Sequence, residues 1–200
     1  AETAEKKSPA KKPAARKQAK RSSLPGFVPP QLCRLVDQPP SGANWVHEVK
    51  FDGYRLQLRV VDGKVTLLTR KGLDWTGKFG AIARAAAKLG DCVIDGEICA
   101  LDDDGVTDFA ALQAALSDGK TDKMVYFAFD LMFEGREDLR HLPLATRKER
   151  LKKLLPKKAA NLRYVEHFAA GGDAILKSAC RMSLEGSVSK RLDAPYRGGR

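Results

Sequence analysis

Glu48-Val49-Lys50-Phe51-Asp52-Gly53-Tyr54-Arg55 is the stretch on which the reading of this chain turns. Trp45, Val46 and Val49 predict a strand that ends at Lys50, and Asp52-Gly53 supplies turn chemistry that sends the chain back through Arg55. A lysine in that place is held between two strands and does not wave in solvent. Arg55 to Val61 then alternates, with Leu56, Leu58 and Val60 on one face and Gln57 and Arg59 on the other. Asp62-Gly63 predicts a hairpin turn, after which Val65 to Thr69 returns antiparallel.

Downstream, Arg70 to Thr76 reads as a polar loop, in which Asp74 and Trp75 serve either DNA contact or loop packing. Phe79, Ile82, Ala83, Ala86 and Leu89 fall at helical spacing and Gly90 stops them. Cys92 to Leu101 is an apolar strand interrupted by Asp95 and Glu97 around Gly96, and buried carboxylates in such a strand require a positive partner. Phe109, Leu112, Gln113 and Leu116 predict a helix capped by Thr107. Met124 to Phe133 is almost continuously apolar, the signature of a central buried strand, and carries the lone acid Asp130. Ala145 to Leu155 predicts a basic amphipathic helix ended by Pro156, and Leu162 to Phe168 a short strand. Gly171-Gly172 precede a last helix through Met182, and Glu185 to Arg191 forms a final strand. Antiparallel strands with helices inserted between them define an α+β class.

Upstream, residues 27–43 carry repeated prolines among Phe27, Val28, Leu32, Leu35 and Val36 and predict an extended entry segment packing on the domain. Residues 1–26 read as a basic disordered tail or interdomain linker and residues 27–200 as one folded domain. The net charge of +11 is concentrated in that tail, where residues 1–21 hold eight Lys and Arg against two Glu. This distribution suits contact with nucleic-acid phosphates. No apolar run approaches the roughly 20 residues that span a bilayer, and the N-terminus lacks an apolar signal region, so a cytoplasmic protein with no membrane partner is expected. Cys33, Cys92, Cys99 and Cys180 show no Cys-x-x-Cys pair and read as buried, reduced thiols. His47, His141 and His167 share no ligand spacing.

Four strands therefore each present an oddity near one edge: Lys50, Glu97, Phe129 with Asp130, and Glu185 with Lys190. A lysine amine attacks only when unprotonated, and neighbouring cations such as Arg55, Lys190 or a bound metal favour that form. Carboxylates hold a divalent cation against phosphate charge, and an aromatic offers a base its stacking surface. Phe127, on the same face as Phe129 by period two, is a second candidate for that surface. Such parts suit nucleotidyl transfer through a lysine phosphoramidate.

These residues also carry a resemblance. Lys50-Phe51-Asp52-Gly53-Tyr54-Arg55 resembles the Lys-x-Asp-Gly-x-Arg motif of covalent nucleotidyltransferases, which include ATP-dependent DNA ligases, RNA ligases and mRNA capping enzymes. Thr69-Arg70, Asp95-Gly96-Glu97, Phe127-Ala128-Phe129-Asp130 and Glu185 to Arg191 resemble the later motifs in order. The flavour of Arg70 to Thr76 and of Asp193 to Arg200 is similar to ligase domains of bacterial non-homologous end-joining ligases. The resemblance implies an ATP-grasp-like adenylation domain with antiparallel sheets flanked by helices, in which Lys50 attacks the α-phosphorus of ATP. It assigns Glu48 and the Val49 carbonyl to the adenine amino group, Arg55, Arg70 and Lys190 to phosphates, and Glu97 to the ribose. Phe129 stacks on adenine, and Glu185 accompanies Mg2+ or Mn2+. Nicked or broken double-stranded DNA is the implied substrate, with fused polymerase or nuclease domains and an end-binding protein as partners and a bacterial, nucleoid-associated location. Ser187 departs from the family's usual aliphatic residue, and the family's last motif and OB-fold domain are expected beyond Arg200. The shared lysine chemistry leaves an RNA ligase, a capping-type enzyme or a nucleic-acid-binding module open as alternatives.

Overall fold

The computed structural model describes residues 24–169 and 186–199. Its main sheet has six strands: β2 (Tyr54–Val61), β3 (Lys64–Thr69), β4 (Cys92–Cys99), β5 (Val125–Glu134), β6 (Glu137–Asp138) and β7 (Leu162–Tyr164). The order β3-β2-β4-β5-β6 is antiparallel throughout, while β7 runs parallel to β5. A separate two-stranded ribbon pairs β1 (Trp45–Val49) with β8 (Ser187–Arg191), antiparallel, so that residues as distant in sequence as Trp45 and Arg191 become neighbours. Three α-helices, α1 (Gly80–Ala86), α2 (Phe109–Asp118) and α3 (Leu144–Leu154), and a 3-10 turn over Thr76–Lys78 complete the described fold. The class is α+β, as the alternation of elements predicts.

Period-two patterning places Leu56, Leu58, Ile94, Ile98, Tyr126 and Leu131 on one face of the sheet, where Ile82 and Ala86 of α1, Leu112 of α2 and Leu151 of α3 close the main core. The opposite face carries Val93, Met132 and Phe133, which pack with Leu24, Val28 and Tyr196, and a second cluster of Cys99, Val125, Phe127 and Val165 beside Phe51 and Phe129. Polar residues inside β8 have a use: Ser189 stands opposite His47 in the ribbon, and its hydroxyl lies 2.9 Å from the buried His47 Nδ1.

Strand β5 is not regular. Gly96 pairs with Ala128 and Asp95 with Asp130, which leaves Phe129 as an extra residue; Met132 is extra in the same way between Leu131 and Phe133. Bulges of this kind bend a strand and redirect side chains. Beside the first bulge, Gly96 makes room for Tyr126: a Cβ at Gly96 would lie 2.4 Å from Tyr126 Cζ and 2.7 Å from the Phe127 carbonyl oxygen. The fully buried Tyr126 hydroxyl lies within hydrogen-bonding distance of the carbonyls of Leu56 (2.9 Å) and Ile94 (3.1 Å), so the ring ties three strands together at that gap.

Several expectations are corrected. The cap of α2 is Asp108, whose carboxylate accepts from the Ala111 N–H at 2.8 Å, one residue beyond Thr107. Leu35 and Val36 do not pack inward but are 100% and 60% exposed. The strand expected over Leu162 to Phe168 stops at Tyr164, with an isolated bridge between Phe168 and His47 beyond it. Cys92 and Cys99 are buried, whereas Cys33 is exposed. The last predicted helix, Cys180 and Glu185 lie outside the described residues.

Gly96→Ala forces either Tyr126 or the β5 backbone to move, an overpacking strain of about 1–3 kcal/mol. Urea unfolding of this variant will show that loss; a midpoint equal to wild type would mean the Tyr126 gap closes without strain.

Candidate active site

Lys50 immediately follows β1, half-buried, and its backbone N–H donates to the Gly186 carbonyl at 3.0 Å, so the lysine is pinned where the ribbon ends. The Asp52-Gly53 pair that follows does not act through turn geometry at Gly53, which lacks a positive φ. A Cβ there would stand 2.2 Å from the Ile98 carbonyl oxygen and 2.8 Å from Cys99 Sγ. Glycine is required because the loop after Lys50 presses directly on β4.

Two residues before Lys50, Glu48 points into the interior and is held by two lysines. The Lys148 ammonium of α3 pairs with Oε1, and the Lys190 ammonium of β8 lies 2.5 Å from Oε2. Burial alone would push the Glu48 carboxyl up, but the two ammonium groups more than offset it and hold the group below its ordinary value. Burial, with help from Lys190, holds Lys148 below the ordinary lysine range. Lys190 also sits 4.5 Å over the centre of the Phe129 ring, and the Arg55 guanidinium lies 5.4 Å from the same centre. Glu48, Phe129, Arg55 and Lys190, drawn from four strands, therefore meet.

Arg55 is itself anchored. Its Nε and Nη2 donate to the two oxygens of Asp95 at 3.0 and 2.7 Å, and the Tyr196 hydroxyl donates to Asp95 Oδ2 at 2.7 Å. Burial works against the guanidinium charge, yet Asp95 more than compensates and raises Arg55 above its ordinary value, with Tyr196 and Glu97 adding to the effect. Glu97, half-buried, is the cross-strand neighbour of Arg55 on one side and of Phe127 on the other. Arg70 is exposed just past β3 and shares with Arg55, Asp95 and Tyr196 the wall of a small cleft. Val49 stands opposite Ser187 at the edge of the ribbon.

Of the two aromatic candidates, Phe127 is committed to the interior: it is buried and stacked on Phe51 at 4.0 Å between ring centres. Phe129, placed at the bulge, keeps partial exposure. Asp130 is a structural acid, paired through both oxygens with Arg147 Nε (2.7 Å) and Nη2 (2.9 Å); Arg147 also donates to the carbonyls of Leu142 and Ala194. Trp75 packs edge-on against Tyr54, and Asp74 accepts from the Thr76 N–H, so this pair orders the loop. Burial pushes the Cys92 thiol up to about 12, which leaves it inert. Among the described residues no three His, Cys, Asp or Glu gather as a metal-binding group.

Arg147 and Lys148 are the residues that sequence reasoning missed. A signal existed: Leu144, Arg147, Lys148 and Leu151 occupy the i, i+3, i+4, i+7 stripe of α3, all four are buried, and two of them are cations. Basic residues on an inward stripe demand carboxylates, and Asp130 and Glu48 were the carboxylates lacking a cation.

Glu48, Arg55, Phe129 and Lys190 gathered beside an α+β sheet, next to the strand that ends at Lys50, are parts that suit a covalent nucleotidyltransferase. The sequence matches the profile described as ATP dependent DNA ligase domain over residues 30–200, and the chain belongs to that family. It is 42% identical over 196 residues to the multifunctional non-homologous end joining protein LigD of Pseudomonas aeruginosa, covering 96% of this chain and 23% of that protein. It is 31% identical to the SPbeta prophage-derived DNA ligase-like protein LigB of Bacillus subtilis, covering 85% of this chain and 63% of that protein. Among solved structures, a mycobacterial DNA ligase D complexed with ATP and MES superimposes with a TM-score of 0.71 at 27% identity, over 86% of this chain and 55% of that one. The ligase domain of Mycobacterium tuberculosis LigD gives 0.67 at 30% identity, over 78% and 50%. The chain thus spans about a quarter of the LigD relative from Pseudomonas and half of that ligase domain. No helix among the described residues is long and apolar enough to cross a membrane.

Two outcomes follow from the buried charges. Arg147→Met leaves Asp130 uncompensated and will cost about 3–5 kcal/mol in urea unfolding, and adding Asp130→Asn will recover part of it. Because the folded Glu48 titrates below its ordinary 4.5, its contribution is complete above that pH and is lost as pH falls through the lower folded value. Unfolding midpoints taken between pH 6 and pH 3 will therefore fall less steeply in Glu48→Gln than in wild type.

Proposed function

We propose that this chain is the adenylation domain of an ATP-dependent DNA ligase acting in non-homologous end joining, with Lys50 as the nucleophile. The observation that carries the reading is the convergence beside Lys50 of Glu48, Phe129 and Lys190, three residues far apart in sequence that meet through one carboxylate and one ring. In this reading the Lys50 amine attacks the α-phosphorus of ATP in line, the P–O bond to pyrophosphate breaks, and a lysyl-AMP phosphoramidate forms. The AMP then passes to a 5′-phosphate at a DNA break, and a 3′-hydroxyl displaces it to seal the strand.

The chain's own residues divide the work. Phe129 stacks on adenine, while Glu48 and the Val49 carbonyl receive its amino group. Glu97 takes the ribose hydroxyls. Arg55, Arg70 and Lys190 bind phosphates, and the Asp95 clamp keeps the Arg55 fork in one orientation so that less freedom is lost on binding. Glu185 is assigned to Mg2+ or Mn2+, which would neutralise phosphate charge. Such an ion is commonly held by one or two carboxylates plus substrate phosphates, so this reading calls for no dedicated protein cage. Residues 1–26 act as a basic linker that adds phosphate contacts, and residues 27–200 as the adenylation domain. Broken or nicked double-stranded DNA is the substrate, fused polymerase or nuclease domains and an end-binding protein are the partners, and the bacterial cytoplasm at the nucleoid is the site of action.

Incubation of the full-length protein with α-labelled ATP will give a covalent adduct that Lys50→Ala abolishes; an adduct persisting in that variant on mass spectrometry refutes the assignment. Labelling by GTP alone would instead identify a capping-type enzyme. Deletion of residues 1–21 will weaken DNA binding mainly at low salt and flatten the dependence of log K on log salt.

A further inference from the structure

Lys148 has no counterpart in the chemistry so far described, yet it is among the largest fully buried side chains of the domain. Its ammonium is surrounded: it pairs with Glu48 Oε1, donates to the Val165 carbonyl at 2.9 Å, and lies 4.8 Å over the Tyr164 ring. The side chain is 1% exposed, so no phosphate can reach it without unpacking α3. Glu48 consequently has two unequal oxygens. Oε1 is locked to the helix, whereas Oε2 meets Lys190, a side chain that is 21% exposed and rests on the face of Phe129.

We infer that Lys148 is a positioning residue for base selection: by fixing one Glu48 oxygen and keeping the carboxylate ionised, it presents the other oxygen as a pure acceptor and so sets the choice of a 6-amino over a 6-oxo purine. This deepens the adenylation reading and rests on it. An ionised carboxylate only accepts hydrogen bonds. Opposed to the amino group of adenine it forms a charge-assisted bond; opposed to the oxo group of hypoxanthine it meets another acceptor, and both are left unpaired. Without Lys148, a carboxylate this deeply buried loses half its compensating charge and shifts toward the protonated form, which carries its own donor. A protonated Glu48 tolerates the 6-oxo purine that the ionised one rejects. Lys190 cannot replace Lys148 in this role, because its partial exposure and its seat over Phe129 place it where a stacked base and its phosphates compete for it.

Inosine triphosphate is the suitable probe, since it differs from ATP in the 6-position and the adjoining N1 proton. In the full-length protein, the ratio of kcat/KM for lysyl-adduct formation with ATP over inosine triphosphate will fall at least tenfold in Lys148→Met, the scale of one lost bond to a charged acceptor. The loss on ATP will appear mainly in KM. Lys148→Arg, which keeps the charge, will hold the ratio near wild type. In a Glu48→Gln background, adding Lys148→Met will leave the ratio where Glu48→Gln put it, as expected if the lysine acts only through that carboxylate. If Lys148→Met does not melt cooperatively, Lys148→Gln, which retains a donor for the Val165 carbonyl, will be read in its place with the same expectation. Equal losses on both nucleotides, with an unchanged ratio, would overturn the inference and reduce Lys148 to a packing residue. A wild-type protein that forms no adduct with either nucleotide would sink the adenylation reading itself, and that result is distinguishable from the first.

Discussion

The structure depends on two cations that α3 carries inward. Arg147 and Lys148 are adjacent in sequence, yet they meet carboxylates on different elements: Asp130 at the first bulge of β5, and Glu48 in the ribbon. Taking such charges out of water costs several kcal/mol per ion, and only good geometry with further hydrogen bonds offsets it. That condition is met at Arg147, whose guanidinium engages both Asp130 oxygens and two backbone carbonyls. Lys148 meets it with a carboxylate, a carbonyl and a ring. Two apolar side chains would allow α3 to slide over the sheet. The ion pairs favour one register and tie α3 to the main sheet through Asp130 and to the ribbon through Glu48.

The bulges of β5 depend on the same contact. A regular strand alternates its side chains strictly, and the apolar run from Val125 to Phe133 would have turned Asp130 toward the main core beside Tyr126 and Ala128. One extra residue at Phe129 changes the phase, so that Leu131 resumes the core positions and Asp130 reaches Arg147. The same phase change leaves Phe129 partly exposed beneath Lys190 while Phe127 stays stacked on Phe51. Gly96, facing Ala128 next to the irregularity, removes the side chain that Tyr126 would otherwise strike. The Asp95-Gly96-Glu97 segment thus holds three unlike positions in three residues: Asp95 clamps Arg55, Gly96 admits a ring, and Glu97 stands between Arg55 and Phe127 across the strands.

Most of the strands were legible in the sequence because half-buried strands alternate, and the meander from Tyr54 to Thr69 is a clear case. Of the motif residues named around Lys50, the structure brings Glu48, Arg55, Phe129 and Lys190 together. What the sequence concealed were pairings across long separations. Lys148 and Glu48 are 100 residues apart, and the reading of α3 as a basic amphipathic helix did not say that two of its cations lie on the inward stripe. Period two placed Phe127 and Phe129 on one face, but only the bulge decides which of them is free, and bulges leave no periodic trace. The purpose of Gly53 was misread for a related reason: turn propensity is local, whereas the close approach of Ile98 that excludes a side chain is tertiary. Leu35 and Val36 failed in the opposite direction, since apolar character in a proline-broken segment does not guarantee a surface to cover it.

Lys190 joins two parts of the site, the outer oxygen of Glu48 and the ring of Phe129. The ring of Phe129 and the outer oxygen of Glu48 are the two features that the adenylation reading reserves for a base, and here one ammonium serves both. The substitution is chemically apt, because an ammonium is attracted to the face of an aromatic ring and to a carboxylate, as a purine with an exocyclic amino group is. On that reading, nucleotide entry exchanges one set of contacts for another and does not create a site from solvent. The base takes the ring and the oxygen, and the displaced ammonium finds new anions in the phosphates. Glu48 would then be left buried with a neutral base on one side, a state that raises a carboxylate's tendency to protonate. On the same reading Lys148 is the cation that stays with Glu48, because its side chain is 1% exposed and it also donates to the Val165 carbonyl.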